Sequence, residues 1–180
     1  MNNGLIPFRY AKALYKYSLE KGNAEKVYNE MKTIVSSFEH NSELQKTLSN
    51  PYLSKDDKKE LLLSAAGNER EDDYVGFVKL ILESKREEYA LQMALAYIDI
   101  YRKANNIAKV QIITAAELGK EEMDRLAELV QRSCKATTLE FTYKVDPKII
   151  GGFVVDVDSV RMDASISNEI EQLRLNLISK

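Results

Sequence analysis

The sequence has a single cysteine, Cys134, and a single histidine, His40. One cysteine excludes an internal disulfide and suits a reducing compartment. A zinc site needs several thiolates or imidazoles, so a metal enzyme of that kind is excluded, and no cofactor is called for. Excess charge is also lacking: 26 basic against 28 acidic residues give a formal net charge of −2. A nucleic-acid binder normally carries a clear basic surplus, as does a polybasic membrane-surface protein, and neither class fits. Residues 1–10 lack the apolar stretch of a signal peptide, and no later segment approaches the ~20 apolar residues that cross a bilayer. The chain therefore reads as cytoplasmic, with membrane association only through partners and no direct insertion.

What is present is an ordinary globular composition, 44% hydrophobic and 30% charged over 180 residues. That length buries enough apolar surface for one large domain or two small ones. The pattern changes at Asn105-Asn106, which divides the chain into 1–105 and 106–180. Six helices are expected in the first part. The first runs from Pro7, tolerated in a first turn, to Glu20, with Gly22 beyond it. The second starts near Ala24 and spaces Val27, Met31, Ile34, Val35 and Phe38 on one stripe. A short third carries Leu44 and Leu48 and ends before Pro51. Ser54 and Asp57 form a capping-box-like start to the fourth, which stops at Gly67-Asn68. The fifth places Tyr74, Phe77, Val78, Ile81 and Leu82, and the sixth Tyr89, Met93, Ala96, Tyr97, Ile100 and Ala104.

Beyond Asn106 the period alternates. Lys109–Thr114 is β-branched and reads as a strand, and Glu121–Cys134 as a helix. Thr138–Val145 puts Leu139, Phe141, Tyr143 and Val145 on one face of a second strand. Asp146-Pro147 and Gly151-Gly152 mark a turn before Phe153–Val157. A short strand at Val160–Met162 and a helix over Ser165–Ile178 follow. The predicted fold class is α plus α/β: an N-terminal six-helix bundle followed by a small C-terminal α/β domain.

No catalytic constellation emerges. Gly151-Gly152 precedes a strand instead of opening a helix, so it is no phosphate loop. The acidic pairs Asp56-Asp57, Asp72-Asp73 and Glu121-Glu122 lie at helix starts, where they complement the macrodipole. Cys134 reads as a small buried residue, and His40, in a polar stretch, has no nucleophile to activate. The informative feature is the first helix. Arg9, Lys12, Lys16 and Glu20 share one polar arc, and Phe8, Tyr10, Ala11, Ala13, Leu14, Tyr15, Tyr17 and Leu19 fill most of the rest. A bundle helix needs an apolar stripe of roughly 100°, and this one is about twice as wide. Either the helix is central to its own domain, or one side forms a groove for an external amphipathic helix. The fifth helix is similarly apolar, and its Gly76 costs about 1 kcal/mol relative to alanine, which fits a close external backbone. The pattern leaves both readings open.

The segment Arg9-Tyr10-Ala11-Lys12-Ala13-Leu14-Tyr15 resembles the R-Y-A-x-A-L-[YF] opening of the ATP synthase delta family, whose mitochondrial members are the oligomycin-sensitivity-conferring proteins. Val145-Asp146-Pro147-Lys148-Ile149-Ile150-Gly151-Gly152-Phe153 is similar to that family's D-P-x-[LI]-I-G-G-[FV] turn and strand. Met162-Asp163-Ala164-Ser165 and then Ile170–Leu173 follow at the family's spacing. Departures are local: Ala164 and Asp158 stand where glycine is usual, Ser167-Asn168 where Arg-Gly is frequent, and Arg161 where an apolar residue is. The near-neutral charge resembles the bacterial branch. The resemblance implies a non-catalytic stator subunit at the cytoplasmic face of a bacterial inner membrane, working in proton-driven ATP synthesis. Its first and fifth helices are expected to receive the N-terminal helix of an alpha subunit, near Ala11, Leu14, Tyr15, Ser18, Val75, Lys79 and Leu80. Its C-terminal domain is expected to bind the C-terminal end of the b-subunit stalk, with Ile170, Leu173 and Leu177 as the apolar stripe. Competing readings are an adaptor in transcription or signalling that binds RNA or another peptide, and an enzyme with an unrecognised site.

Overall fold

The computed structural model describes residues 4–67, 71–133, 137–158 and 160–178. The chain divides into two compact units, Met1–Arg102 and Lys103–Lys180. The division falls three residues before the expected one, inside the last turn of a helix. Cys134 lies outside the described residues, as does Asn68 of the expected Gly67-Asn68 stop.

Unit one contains α1 (Leu5–Glu20), α2 (Ala24–His40), α3 (Glu43–Leu48), α4 (Lys55–Ala65) and α5 (Asp72–Glu83), with α6 (Ala90–Ala104) beginning after a 3-10 turn at Glu87–Tyr89. The helix ends follow from local chemistry. Gly22, at φ +75°, closes α1 as the Asn23 amide reaches back 2.8 Å to the Ser18 carbonyl, a glycine-terminated helix end. Ser54 caps α4 by accepting from the Asp57 amide at 3.1 Å. Its hydroxyl donates to the Asp57 carboxylate at 2.6 Å, where a longer Glu side chain would reach back to the cap amide. One core then gathers the stripes of α1 to α6 around Leu48, Leu62, Val78, Ile81, Met93 and Tyr97. Each fully buried side chain of this size contributes about 1.5–3 kcal/mol.

Two polar groups inside the core, Tyr97 and Lys58, are paired across helices. Tyr97 is fully buried; its hydroxyl donates to the Ala24 carbonyl at 3.1 Å and takes the Ser18 hydroxyl at 2.8 Å. Burial pushes the Tyr97 phenol up to about 12. Lys58, also buried, reaches Glu87 at 2.7 Å and joins α4 to the 3-10 turn. Burial raises the Glu87 carboxyl, but the hydrogen bond to Lys58, its own backbone amide and the charges of Lys58 and Lys55 together outweigh this and leave it below the usual range.

Unit two is a four-stranded sheet with helices α7 (Lys120–Ser133) and α8 (Ile166–Ile178). Strands β1 (Ile107–Thr114), β2 (Thr138–Val145), β3 (Gly152–Val157) and β4 (Val160–Ser165) lie in the order β2-β1-β3-β4. β1 and β2 are parallel, as a crossover through α7 requires, and the other pairs are antiparallel. β4 runs three residues beyond the expected strand because Gly152 pairs with Ser165. Gly152 has φ +74°, and a Cβ there would stand 2.2 Å from the Ala164 carbonyl oxygen; only glycine permits that approach. The core of this unit is small. Val110, Ile112 and Val155 of the sheet close on Val130 of α7. Asp158, where the family usually has glycine, does adopt positive φ at +49°. Its carboxylate accepts from the Lys109 amide at 3.1 Å, local bonding of the kind that lets Asp tolerate this conformation.

Candidate docking surfaces

At about 100° per residue, α1 presents three adjoining stripes. Pro7, Ala11, Leu14 and Ser18 form the inner one and are buried. Ile6, Tyr10, Ala13 and Tyr17 flank it on one side, half-buried or exposed, and Leu5, Phe8, Lys12, Tyr15 and Leu19 on the other. The first of these flanks is the side toward α5. Lys21, still in helical conformation, lies on it and bonds Asp73 of α5 at 3.1 Å while its ammonium sits 4.6 Å from the centre of the Tyr17 ring. Tyr17 first, and Asp73 second, hold the Lys21 ammonium above the ordinary lysine range.

On α5 the same construction places Asp73, Gly76, Phe77 and Leu80 on the side toward α1. Asp73 and Phe77 are buried, whereas Gly76 and Leu80 are exposed. An added Cβ on Gly76 would meet nothing within 4 Å, so nothing inside the domain accounts for its cost in mid-helix. Tyr10, Ala13 and Tyr17 of α1 and Gly76 and Leu80 of α5 therefore border the α1–α5 junction as a candidate apolar channel. One end is fastened by Lys21 and Asp73. Behind that fastening, Glu30 of α2 accepts the Glu71 amide at the start of α5, and Lys26 bonds Glu71 at 2.8 Å. Burial pushes the Glu30 carboxyl up.

The expected groove residues separate accordingly. Leu80 and the exposed Lys79 lie on the outer part of α5. Ala11, Leu14 and Ser18 do not: they face the domain's own core, with Ser18 bonded to Tyr97, and offer a partner no surface. Tyr15 turns to the opposite flank, edge-on to Tyr97 and Tyr101 at 6.0 and 6.3 Å between ring centres. Val75, half-buried, lies on the side of α5 away from Asp73. Helical spacing identifies which residues share a stripe, but not which way the stripe points. Tyr10, Ala13 and Tyr17 were not among the expected groove residues for that reason, and the Lys21/Asp73 pair supplies the orientation.

In unit two, Ser165 starts α8: its hydroxyl accepts from the Asn168 amide at 3.2 Å, and the Ile166 amide reaches the Gly151 carbonyl at 3.0 Å. Beyond that anchor the helix leaves its apolar residues uncovered. Ile166, Ile170, Leu173 and Leu177 are 44, 52, 63 and 79% exposed. Their 4-3-4 spacing is that of a coiled-coil seam. Arg161, where the family is usually apolar, makes a two-pronged pair with Asp156 at 2.7 and 2.8 Å, which lowers the Asp156 carboxyl.

Among the described residues no group of three or more His, Cys, Asp or Glu is placed to hold a metal, and no helix is long and apolar enough to cross a membrane. A family profile described as ATP synthase delta (OSCP) subunit matches residues 6–177. The chain belongs to the ATP synthase delta (OSCP) family. It is 38% identical to the ATP synthase subunit delta of Phocaeicola vulgatus over 178 residues, covering 98% of this chain and 96% of that one. It is 36% identical to the subunit delta of Bacteroides thetaiotaomicron, covering 100% and 97%, and 31% identical to that of a Prochlorococcus marinus strain, covering 93% of each. A chain of the Toxoplasma gondii mitochondrial ATP synthase hexamer shares the fold at a TM-score of 0.75, with 18% identity and 96 and 97% coverage. Membership in the delta (OSCP) family makes the chain a peripheral, non-catalytic stator component of an ATP synthase, with other subunits of that complex as its partners.

Proposed function

We propose that this chain joins the head and the stalk of its ATP synthase, each unit holding one partner. The six-helix unit receives the amphipathic N-terminal helix of an alpha subunit in the α1–α5 channel. The α/β unit takes the C-terminal end of the b-subunit stalk along Ile170, Leu173 and Leu177. The complex works at the cytoplasmic face of a bacterial inner membrane, where a head held against rotor torque allows proton-driven synthesis. No chemistry is asked of the adaptor. Burying aromatic anchors in a water-excluded channel slows dissociation, and attachment at two points raises the effective concentration for rebinding.

The observation that carries this reading is the junction itself: half-buried Tyr10 and exposed Tyr17 on one side, an otherwise unexplained Gly76 on the other, and two fastened helices. Calorimetric titration of the full chain with a peptide from the same organism's alpha-subunit N-terminus tests it. Saturable binding with a negative heat-capacity change is expected. Tyr17→Glu and Leu80→Glu weaken it at least thirty-fold, on the order of 2 kcal/mol, whereas Val75→Glu, off the channel, does not. Equal losses in all three folded variants contradict the channel.

A further inference from the structure

The flank of α1 turned away from α5 has its own character. Leu5, Phe8, Lys12, Tyr15 and Leu19 follow a 3-4-3-4 spacing, the repeat with which one helix meets another. Tyr15 is fixed in the middle of the stripe by its contacts with Tyr97 and Tyr101. Leu5, Phe8 and Leu19 on either side of it are 58, 49 and 57% exposed. Arg9, Lys12 and Lys16 lie in or beside the same stripe and are exposed. None of the three makes an ion pair among the described residues. The only acidic residue on α1 is Glu20. A chain of net charge −2 thus concentrates unpaired positive charge along one apolar stripe of one helix.

We propose that this flank docks a second helix, an amphipathic segment of another ATP synthase subunit whose apolar seam is bordered by Asp and Glu. The two flanks of α1 then select different partners. The α5 side closes its one Lys with Asp73, so apolar fit decides there. The opposite side sets three cations beside apolar anchors, so a carboxylate-bordered helix is preferred and a basic one rejected. Lys12 stands inside the seam. A charged residue at such a position fixes register by demanding a carboxylate opposite it. Exposed ion pairs contribute only about 0–1 kcal/mol each, so affinity comes from Phe8, Leu19 and Leu5 and selectivity from the cations. The inference rests on membership of the complex and not on the α1–α5 channel.

The test uses the full chain in the assembled synthase. The photo-crosslinking residue benzoylphenylalanine replaces Phe8, Leu19 or, as a report on the channel, Tyr17. Adducts are mapped by mass spectrometry, and acetylation of Lys12 and Lys16 is compared between the free chain and the complex. Phe8 and Leu19 are expected to crosslink to one helical segment carrying Asp or Glu beside its apolar seam, distinct from whatever Tyr17 captures. Lys12 reactivity is expected to fall at least ten-fold on assembly. Lys12→Glu weakens retention of the chain, and a Lys placed at the facing carboxylate restores it. The proposal is overturned if adducts form only with lipid or with a segment lacking carboxylates. It is equally overturned if Lys12 and Lys16 react alike in free and assembled chain, since the stripe is then a solvated ridge. Because Tyr17 is read separately, loss of the second docking flank leaves the channel standing, and the converse holds.

Discussion

The two units use apolar residues differently. In the helical unit the stripes of α2, α4 and α5 close on a shared core, and its exposed large apolar residues fall mostly on α1 and α5. In the α/β unit the buried cluster among the described residues is Val110, Ile112, Val130 and Val155, while α8 carries an apolar seam with little of its own unit to cover it. A helix gains most of its stability from packing such a face, so α8 has a structural requirement that its unit does not meet. On the proposed reading, one unit is finished internally and offers selected flanks, and the other is completed by its partner.

The sharpest way to break that comparison is to truncate one leucine in each unit. Leu62, 1% exposed, is expected to cost about 3 kcal/mol as Leu62→Ala in denaturant unfolding. Leu173→Ala is expected to change the stability of the free chain by less than about 0.5 kcal/mol. Similar costs at the two sites would mean that α8 is packed and the contrast is false.

A smaller effect concerns the turn before β3. Ile150 has φ +68° and is 63% exposed, and the Gly151 amide reaches the Ile149 carbonyl at 2.8 Å across it. A β-branched residue is strained there. Ile150→Gly is expected to raise the stability of the free chain by about 1 kcal/mol in the same unfolding measurement. If the strained isoleucine is held for the stalk, the same variant binds the stalk peptide more weakly.

The smallest effect is electrostatic. The folded Glu30 carboxyl is raised by burial, and further by the charges of Glu71 and Asp73, with the Glu71 amide and Lys26 opposing; Lys21 and Tyr97 also face this cluster. A raised acid favours the folded state when protonated. Its stabilising contribution is complete below the ordinary glutamate value of about 4.3 and is lost as pH rises through the raised folded value. Glu30→Gln keeps an acceptor for the Glu71 amide and has no charge to bury. Its stability relative to the parent is expected to improve across that window and then stay flat. A parent that gains on the variant as pH rises would reverse the assignment.

Much of the architecture was legible because period and punctuation agreed. Strict alternation marks Thr138–Val145 residue for residue, and Ser54, Gly22 and Pro51 mark helix ends. The extension of β4 to Ser165 was not legible, since it depends on Gly152 admitting the Ala164 backbone from a distant strand. The site was legible at the level of helices and not of faces. An apolar excess on α1 and α5 and the odd Gly76 were both visible, but choosing inner from outer stripe needed Lys21 and Asp73 in space. Ala11, Leu14 and Ser18 were placed near the groove because small and apolar residues read alike on either side of a wide stripe.

Amide hydrogen exchange, compared between the free chain and the assembled synthase, tests the contrast between the units most directly. In the free chain, α2, α5 and α6 are expected to be protected to the level of global unfolding, while Ile170–Ile178 of α8 exchanges orders of magnitude faster. On assembly α8 is expected to gain protection and the bundle core to change little. Strong protection of α8 in the free chain, or fast exchange that persists in the complex, would contradict the account.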